Sequence, residues 1–278
     1  MIVNFCLDLL DNNKSKNMRY FLTALMIALT SSVSSQFYYY GYLQVPEDKV
    51  QEYIENEEEY FSQAAKIAIE QGVIEGWAIL SRYQGSNSEP NFYWYVGVGD
   101  IDKLNNFNND FGAIVNQVSQ KSGAPSLISR ALNDHAKYQT FVGTYYRGAM
   151  ATNNDSDGWK YIRHSYAKVP NTGAWLNAQS ENWGKFIDKN MNNGKVNQEL
   201  WAASIRVHPQ GNGYNWNVLT VDAFKSLKDL FANGGEDYPD MSSVNFDEIS
   251  STMPNDWHKQ VIWQRVLWTD SNGNLMKN

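Results

Sequence analysis

The stretch 75-EGWAILSR-82 is followed, 124 residues later, by 199-ELWAASIR-206, with Trp77/Trp201, Ala78/Ala202 and Arg82/Arg206 in the same places. Sliding residues 38–82 onto 162–206 without gaps also matches Tyr42/Tyr166, Val45/Val169, Pro46/Pro170 and Glu57/Glu181. Chance would give about three matches in such a window at average residue usage. Farther along the offset reads as 122, pairing Trp94 with Trp216, Val96 with Val218, Asp100 with Asp222 and Lys103 with Lys225. The repeat therefore runs through both halves of the chain, and each copy is domain-sized rather than a short solenoid unit.

One copy reads as six elements. The aromatic stretch from Phe37 is extended and stops at Pro46, a strand ending. Val50, Tyr53, Ile54, Phe61, Ala64, Ala65 and Ala68 recur at helical spacing, which predicts an amphipathic helix over 48–71 with Gly72 as its stop. Two strands follow, on either side of the loop 85-GSNSEPN-91. Asp100 is placed to cap a second helix carrying Ile101, Leu104, Phe107, Phe111, Ile114, Val115 and Val118. A fourth strand is predicted in 138-YQTFVGTYYR-147. The second copy gives strands at 160–169, 200–208, 213–220 and 261–268 and helices at 172–190 and 222–232. Both copies read β-α-β-β-α-β, the ferredoxin-like order.

A four-stranded sheet with helices on one face leaves its other face bare, and an aromatic face of that size needs cover. The expected fold class is α+β: two ferredoxin-like units in tandem, packed sheet to sheet as a pseudo-dimer within one chain. The first unit is expected at 36–147, a linker at 148–159 and the second unit at 160–278.

The N-terminus reads differently. From Met18, one Arg precedes an apolar run over Phe21–Leu29, and Val33-Ser34-Ser35 supplies small residues before Gln36. That is the anatomy of a signal peptide at 18–35, so the protein is expected to be exported, periplasmic or extracellular. The run is too short for a span of roughly twenty residues, and no membrane attachment is expected after cleavage. Residues 1–17 read as a gene-model extension.

Without residues 1–35 the chain keeps 20 basic and 28 acidic residues, a net charge of −8, which argues against nucleic acid as a partner. Its single cysteine, Cys6, lies in the prefix, so neither a disulfide nor a thiol nucleophile is expected in the remainder. The 10 Trp, 17 Tyr and 12 Phe suit both a thick core and a ligand pocket.

Strands ending in Val-Pro, a helix with a central Glu, and a helix-ending Gly shortly before a strand-opening Trp together resemble the dimeric α+β barrel superfamily, in its secreted tandem bacterial form. The second copy, from 169-VPNTGAWLNAQSENWGKF-186 to Trp201, is the clearer case. The resemblance implies a barrel. Its range of activities includes cofactor-free monooxygenases, haem-handling enzymes, isomerase-like proteins and binding proteins, and fold alone does not choose among them.

The candidate chemistry is sparse. Glu57 falls on the apolar stripe of its helix, and Glu181 is its repeat partner. Each reads either as an acid/base group of raised pKa or as a structural carboxylate bonded to Arg82/Arg206 or Tyr42/Tyr166. His164, replaced by Tyr40 in the first copy, lies on a strand that would line the barrel. Tyr42, Tyr166, Trp77, Trp201, Arg82 and Arg206 are the candidate ligand-binding residues, core packing being the plainer role for the tryptophans. None of the histidines, His135, His164, His208 and His258, falls in a zinc motif, although a single haem ligand could hide among them. The segments 153–158 and 270–274 resemble incomplete calcium loops and read as turns. No cofactor is expected. The expected function is binding of a small apolar or amphipathic molecule in an aromatic cavity. The alternative is a cofactor-independent monooxygenase-like or isomerase-like enzyme using Glu57, Glu181 or His164.

Overall fold

A computed structural model describes residues 36–85, 89–121, 138–140, 143–152, 158–232 and 239–278. The expected signal peptide and prefix, His135 and most of the 153–158 segment lie outside these residues. Strand β1 (Gln36–Gln44) is followed by a 3-10 turn (Glu47–Lys49) and by helix α1. That helix is built from Val50–Asn56, a wider π turn at Glu57–Phe61, and Ser62–Glu70. Strands β2 (Gly76–Arg82) and β3 (Phe92–Gly99), helix α2 (Ile101–Lys121), the short β4 (Gln139–Thr140) and β5 (Thr144–Thr152) complete the first half.

The second half opens with β6 (Tyr161–Ala167). Helix α3 follows, again with a central π turn: Thr172–Ala178, Gln179–Gly184 and Lys185–Asn192. Then come β7 (Leu200–His208), β8 (Val218–Phe224), α4 (Leu227–Ala232), α5 (Phe246–Thr252), β9 (Lys259–Thr269) and β10 (Leu275–Lys277).

Helices α1 and α3 end in the same way. Gly72 (φ +70°) and Gly194 (φ +63°) adopt the left-handed conformation that turns the chain out of a helix. The following amides, of Val73 and Lys195, donate back to the carbonyls of Ala68 and Asn190 at 2.8 and 2.9 Å.

The strands run β2-β3-β1-β5 in the first half and β7-β8-β6-β9 in the second. β5 pairs with β7 and β2 pairs with β9, both antiparallel, which closes eight strands into a barrel. The halves are therefore joined edge to edge by backbone hydrogen bonds, and their open faces become one interior. Closure removes the exposed edges that each half would otherwise present. The seam also revises the expected linker, because residues 148–152 are strand, paired with β7 on one side.

Three cores result. Tyr53, Phe61, Ala64, Trp77 and Val96 pack between α1, α2 and the outer sheet face of the first half. Trp175, Phe186, Ile187, Trp201 and Val218 do the same for the second half. Tyr38, Tyr40, Tyr42, Tyr93, Tyr146, Tyr166, Trp263 and Trp268 fill the barrel between them. In β1 the period of two sends Tyr38, Tyr40 and Tyr42 inward and leaves Tyr39 outside against Tyr145 and Phe107.

Beyond β2 and β7 the structure corrects the repeat register. Asn91 bonds the backbone N–H and C=O of Val45 at 2.8 and 2.7 Å, and Asn217 bonds those of Val169 at 2.8 Å each. The offset there is thus 126, because the second loop is two residues longer, not two shorter. Trp94 corresponds to Thr220 rather than Trp216. Asp100, which caps α2 by accepting from the Lys103 amide at 2.9 Å, corresponds to Ser226, which accepts from the Asp229 amide at 3.1 Å. Asp222 lies within β8, bonded by Arg163 at 3.3 Å and Gln198 at 3.0 Å, and caps no helix.

Candidate binding cavities

The middle of the barrel is plugged by a polar-aromatic chain. His164 on β6 lies face to face with its repeat partner Tyr40 on β1, ring centroids 5.3 Å apart and planes 7° from parallel. Its Nε2 is 3.3 Å from the Tyr93 hydroxyl and its Nδ1 is 3.2 Å from that of Tyr166. The Tyr166 hydroxyl is in turn 3.3 Å from that of Tyr42. A neutral imidazole has one N–H and one acceptor nitrogen, so one tyrosine accepts from it and the other donates. Burial pushes His164 down to about 3 and Tyr166 up to about 12, so the chain is uncharged at neutral pH.

A cavity opens on each side of this plug. The first, of about 290 Å3, is walled by Tyr38, Tyr40, Tyr93, Tyr95, Trp159 and Trp268. Its room comes from a repeat pair of small residues, Ala78 and Ala202, which line it where larger side chains would fill it. Arg265 is its charged residue in the wall, with its guanidinium carbon 4.0 Å from the Trp159 ring centre and 3.6 Å from that of Trp268. At the rim, Glu75 pairs with Lys103 at 3.1 Å. Asp270 accepts from the amides of Asn272 and Asn274 at 2.9 and 2.8 Å, so 270–274 is a turn held by that carboxylate.

The second cavity, of about 340 Å3, is lined by Tyr42, Tyr166, Arg82, Arg206, Tyr214, Trp216, Lys259 and Trp263, among others. Arg82 pairs with Glu89 at 2.6 Å, and Lys259 pairs with the same carboxylate. Arg206 is stacked on Trp216 and Tyr214, 3.0 and 4.3 Å from the ring centres. The structure thus gathers Tyr42, Tyr166, Arg82 and Arg206 around one cavity. It separates them from Trp77 and Trp201, whose side chains belong to the two helix-side cores; Trp77 also reaches the edge of the first cavity.

The two glutamates part company. Glu57 is fully buried in α1 behind the sheet, outside the barrel. Its partners include the Trp94 indole N–H, which donates at 3.0 Å, and Tyr53, where arginines or inner tyrosines were expected. Burial raises its pKa well above the usual carboxylate range. Glu181 is exposed on α3 and pairs with Lys185. The residue that starts the π turn of α3, where Glu57 starts that of α1, is buried Gln179.

A neutral amide in that place suggests an experiment. Because the folded pKa of Glu57 is raised, folding takes up a proton, and stability present below about pH 4.5 is lost as pH rises above it. Glu57→Gln is expected to raise the melting temperature at pH 8 by a few degrees, about what 1 kcal/mol does in a domain of this size. At pH 4 the gain disappears. A difference that does not change with pH, followed by thermal melts, counts against a buried neutral carboxyl.

Among the described residues no three His, Cys, Asp or Glu gather as a metal site, and no helix is long and apolar enough to cross a membrane. Haem ligation finds no support in His164, whose two nitrogens both meet tyrosine hydroxyls, nor in His208 and His258, which are exposed and line neither cavity. Trp159, Trp268 and Arg265 were not singled out by sequence. Arg265 and Trp268 face the barrel on β9, three residues apart across a bulge, and Trp159 lies two residues before β6; strict alternation puts Arg265 and Trp268 on opposite faces, so the bulge hid them.

The chain matches no family model, and no curated protein matches it in sequence. Solved structures do resemble it. A candidate monooxygenase from Fusobacterium nucleatum aligns with a TM-score of 0.51 at 11% identity, over 88% of this chain and 98% of that one. A candidate monooxygenase from Lactobacillus acidophilus gives 0.47 at 10% identity, over 87% and 96%. A heme-binding protein from Thermus thermophilus gives 0.45 at 9%, over 86% and 93%. The Fusobacterium likeness is one of fold alone; the chain itself forms an α+β barrel closed by eight strands.

Proposed function

We propose that this protein binds a small, planar, mostly apolar molecule in the cavity beside Trp159 and Trp268. The observation that carries this reading is the cavity itself: about 290 Å3, aromatic on most sides and kept open by Ala78 and Ala202. That volume lies near the lower end of ligand pockets, which run from about 300 to 1,000 Å3, and suits one or two rings. Acid/base catalysis finds less support. Glu57 is behind the sheet, Glu181 is on the surface, and both nitrogens of His164 are engaged. The fold neighbours described as monooxygenases add no residue-level argument.

The reading extends to architecture and destination. The chain is a tandem of two ferredoxin-like units fused into one barrel, and the strand order β5-β1-β3-β2, repeated as β9-β6-β8-β7, supports this. Residues 18–35 direct export, a reading supported by their charged start, apolar run and small residues.

Ala202→Phe tests the binding site by filling it. The full chain is titrated with 2-naphthol while tryptophan fluorescence is followed. The unchanged protein is expected to bind. The variant, with an unaltered circular dichroism spectrum, is expected to bind at least tenfold more weakly. Equal binding by a folded variant would place the ligand elsewhere.

A further inference from the structure

We propose that the opposite mouth of the barrel is a carboxylate site, in which Arg206 holds the anion and the walls of the second cavity hold its apolar body. This inference does not rest on the binding reading for the first cavity, since a different set of residues carries it.

The starting observation is a buried cation short of partners. Arg206 is 3% exposed, and its Nε and Nη1 are buried with no hydrogen-bond acceptor. A buried charge left without a counter-charge is strongly destabilising. Ring faces supply part of the compensation: Trp216 at 3.0 Å and Tyr214 at 4.3 Å. Cation–π contacts offset only part of that cost, which leaves room for an anion. The other cations of the mouth have a counter-charge, because Glu89 is paired with both Arg82 and Lys259, although Arg82 Nε also meets no acceptor. Among the described residues, no Asp or Glu lines the cavity.

The surroundings favour a carboxylate in particular. The stacked rings fix the guanidinium plane, and a fixed guanidinium presents its N–H groups as a fork that matches a planar oxyanion. Tyr42 and Tyr166 line the same cavity with hydroxyls 3.3 Å apart, and burial keeps both protonated; one proton is spent between them, which leaves at most one hydroxyl to donate to an oxygen that Arg206 does not reach. The rest of the wall includes Pro90, Val261, Trp216 and Trp263. A singly charged head on a ring or short hydrocarbon satisfies one cation and these apolar walls together. A doubly charged phosphate would bring one charge more than Arg206 balances, because Arg82 and Lys259 are already paired with Glu89.

Calorimetric titration of the full chain with sodium benzoate, and separately with benzamide, tests the site. The two share a ring and differ in charge. Benzoate is expected to bind at least tenfold more tightly than benzamide, and Arg206→Gln to weaken benzoate by tenfold or more. Ala202→Phe, which fills the other cavity, is expected to leave benzoate binding unchanged. Equal affinity for benzamide, full retention of benzoate by folded Arg206→Gln, loss of benzoate in Ala202→Phe, or no binding up to millimolar benzoate would each overturn the proposal. Should Arg206→Gln fail to fold, the comparison of the two ligands on the unchanged chain decides alone.

Discussion

Acidification from pH 6.5 toward pH 4 is expected to cost this protein stability through one imidazole, at up to about 1.4 kcal/mol per pH unit for a single proton. His164 sits at the centre of the barrel, fully buried, and burial holds its pKa down to about 3 against an ordinary value of 6.5. In the unfolded chain the ring takes up a proton below pH 6.5; in the folded chain it does not. The unfolded state therefore binds more protons between the two values, and stability rises with pH across that window and is intact above it. Glu57 works in the opposite direction, since its folded pKa is raised, so the raw profile sums the two. The comparison that isolates the histidine is the slope of unfolding free energy against pH, from denaturant melts, in the unchanged protein and in His164→Gln. The variant loses the stack on Tyr40 and is expected to be less stable at pH 7, and its slope between pH 5 and 6.5 is expected to be lower than that of the unchanged protein by up to about 1.4 kcal/mol per pH unit, leaving the opposing Glu57 slope uncompensated. Parallel profiles would mean that the imidazole reaches water in the folded state, contrary to a sealed plug between the two cavities.

The same histidine shows where sequence reasoning reached and where it stopped. Alternation places Tyr38, Tyr40, Tyr42, His164 and Tyr166 on one face of their strands, and the repeat pairs Tyr40 with His164. Alternation does not say which face of a strand lies inside a barrel when both faces are covered. Here helices cover the outer face and the opposing strands cover the inner one, so both read as apolar. Partnerships such as His164 with Tyr93 or Arg206 with Trp216 were hidden for that reason. The repeat was legible where its spacing is uniform, at Tyr42/Tyr166, Trp77/Trp201 and Arg82/Arg206. It misled where loop lengths change. Between Pro46 and α1 the first half has two more residues than the second, and a shift of two residues turns a helix by about 200°. That rotation carries Glu181 to the surface and puts Gln179 where Glu57 stands. Farther on, the matching of Trp94 with Trp216 drew the register the wrong way. The better marker was Asn91/Asn217, whose partners Val45 and Val169 are 46 and 48 residues earlier and invisible to any local pattern.

The closure of the barrel can be put to a direct test at Gly148. It faces Ser204 across the seam between β5 and β7, where the two halves of the chain meet. A Cβ there would fall 2.4 Å from the Ala203 carbonyl oxygen, 2.4 Å from Ser204 Oγ and 3.0 Å from Ser204 Cα. Two of those three atoms are backbone, so a side-chain rotation cannot relieve the clash. The Ser204 hydroxyl also accepts from Tyr38, so any shift of β7 disturbs the wall of the first cavity. Overpacking costs about 1–3 kcal/mol, and a backbone clash belongs at the upper end. Gly148→Ala is therefore expected to lower the melting temperature by roughly 6–12 °C, at 2–4 °C per kcal/mol for a domain of this size. Gly112, inside α2, has nothing within 4 Å of its virtual Cβ. Gly112→Ala is accordingly expected to be neutral or to gain up to about 1 kcal/mol from helix propensity. The two substitutions add the same methyl group and differ only in what it meets. If Gly148→Ala melts with the unchanged protein while Gly112→Ala behaves as expected, β5 and β7 do not approach this closely, and the eight strands form an open sheet rather than a barrel.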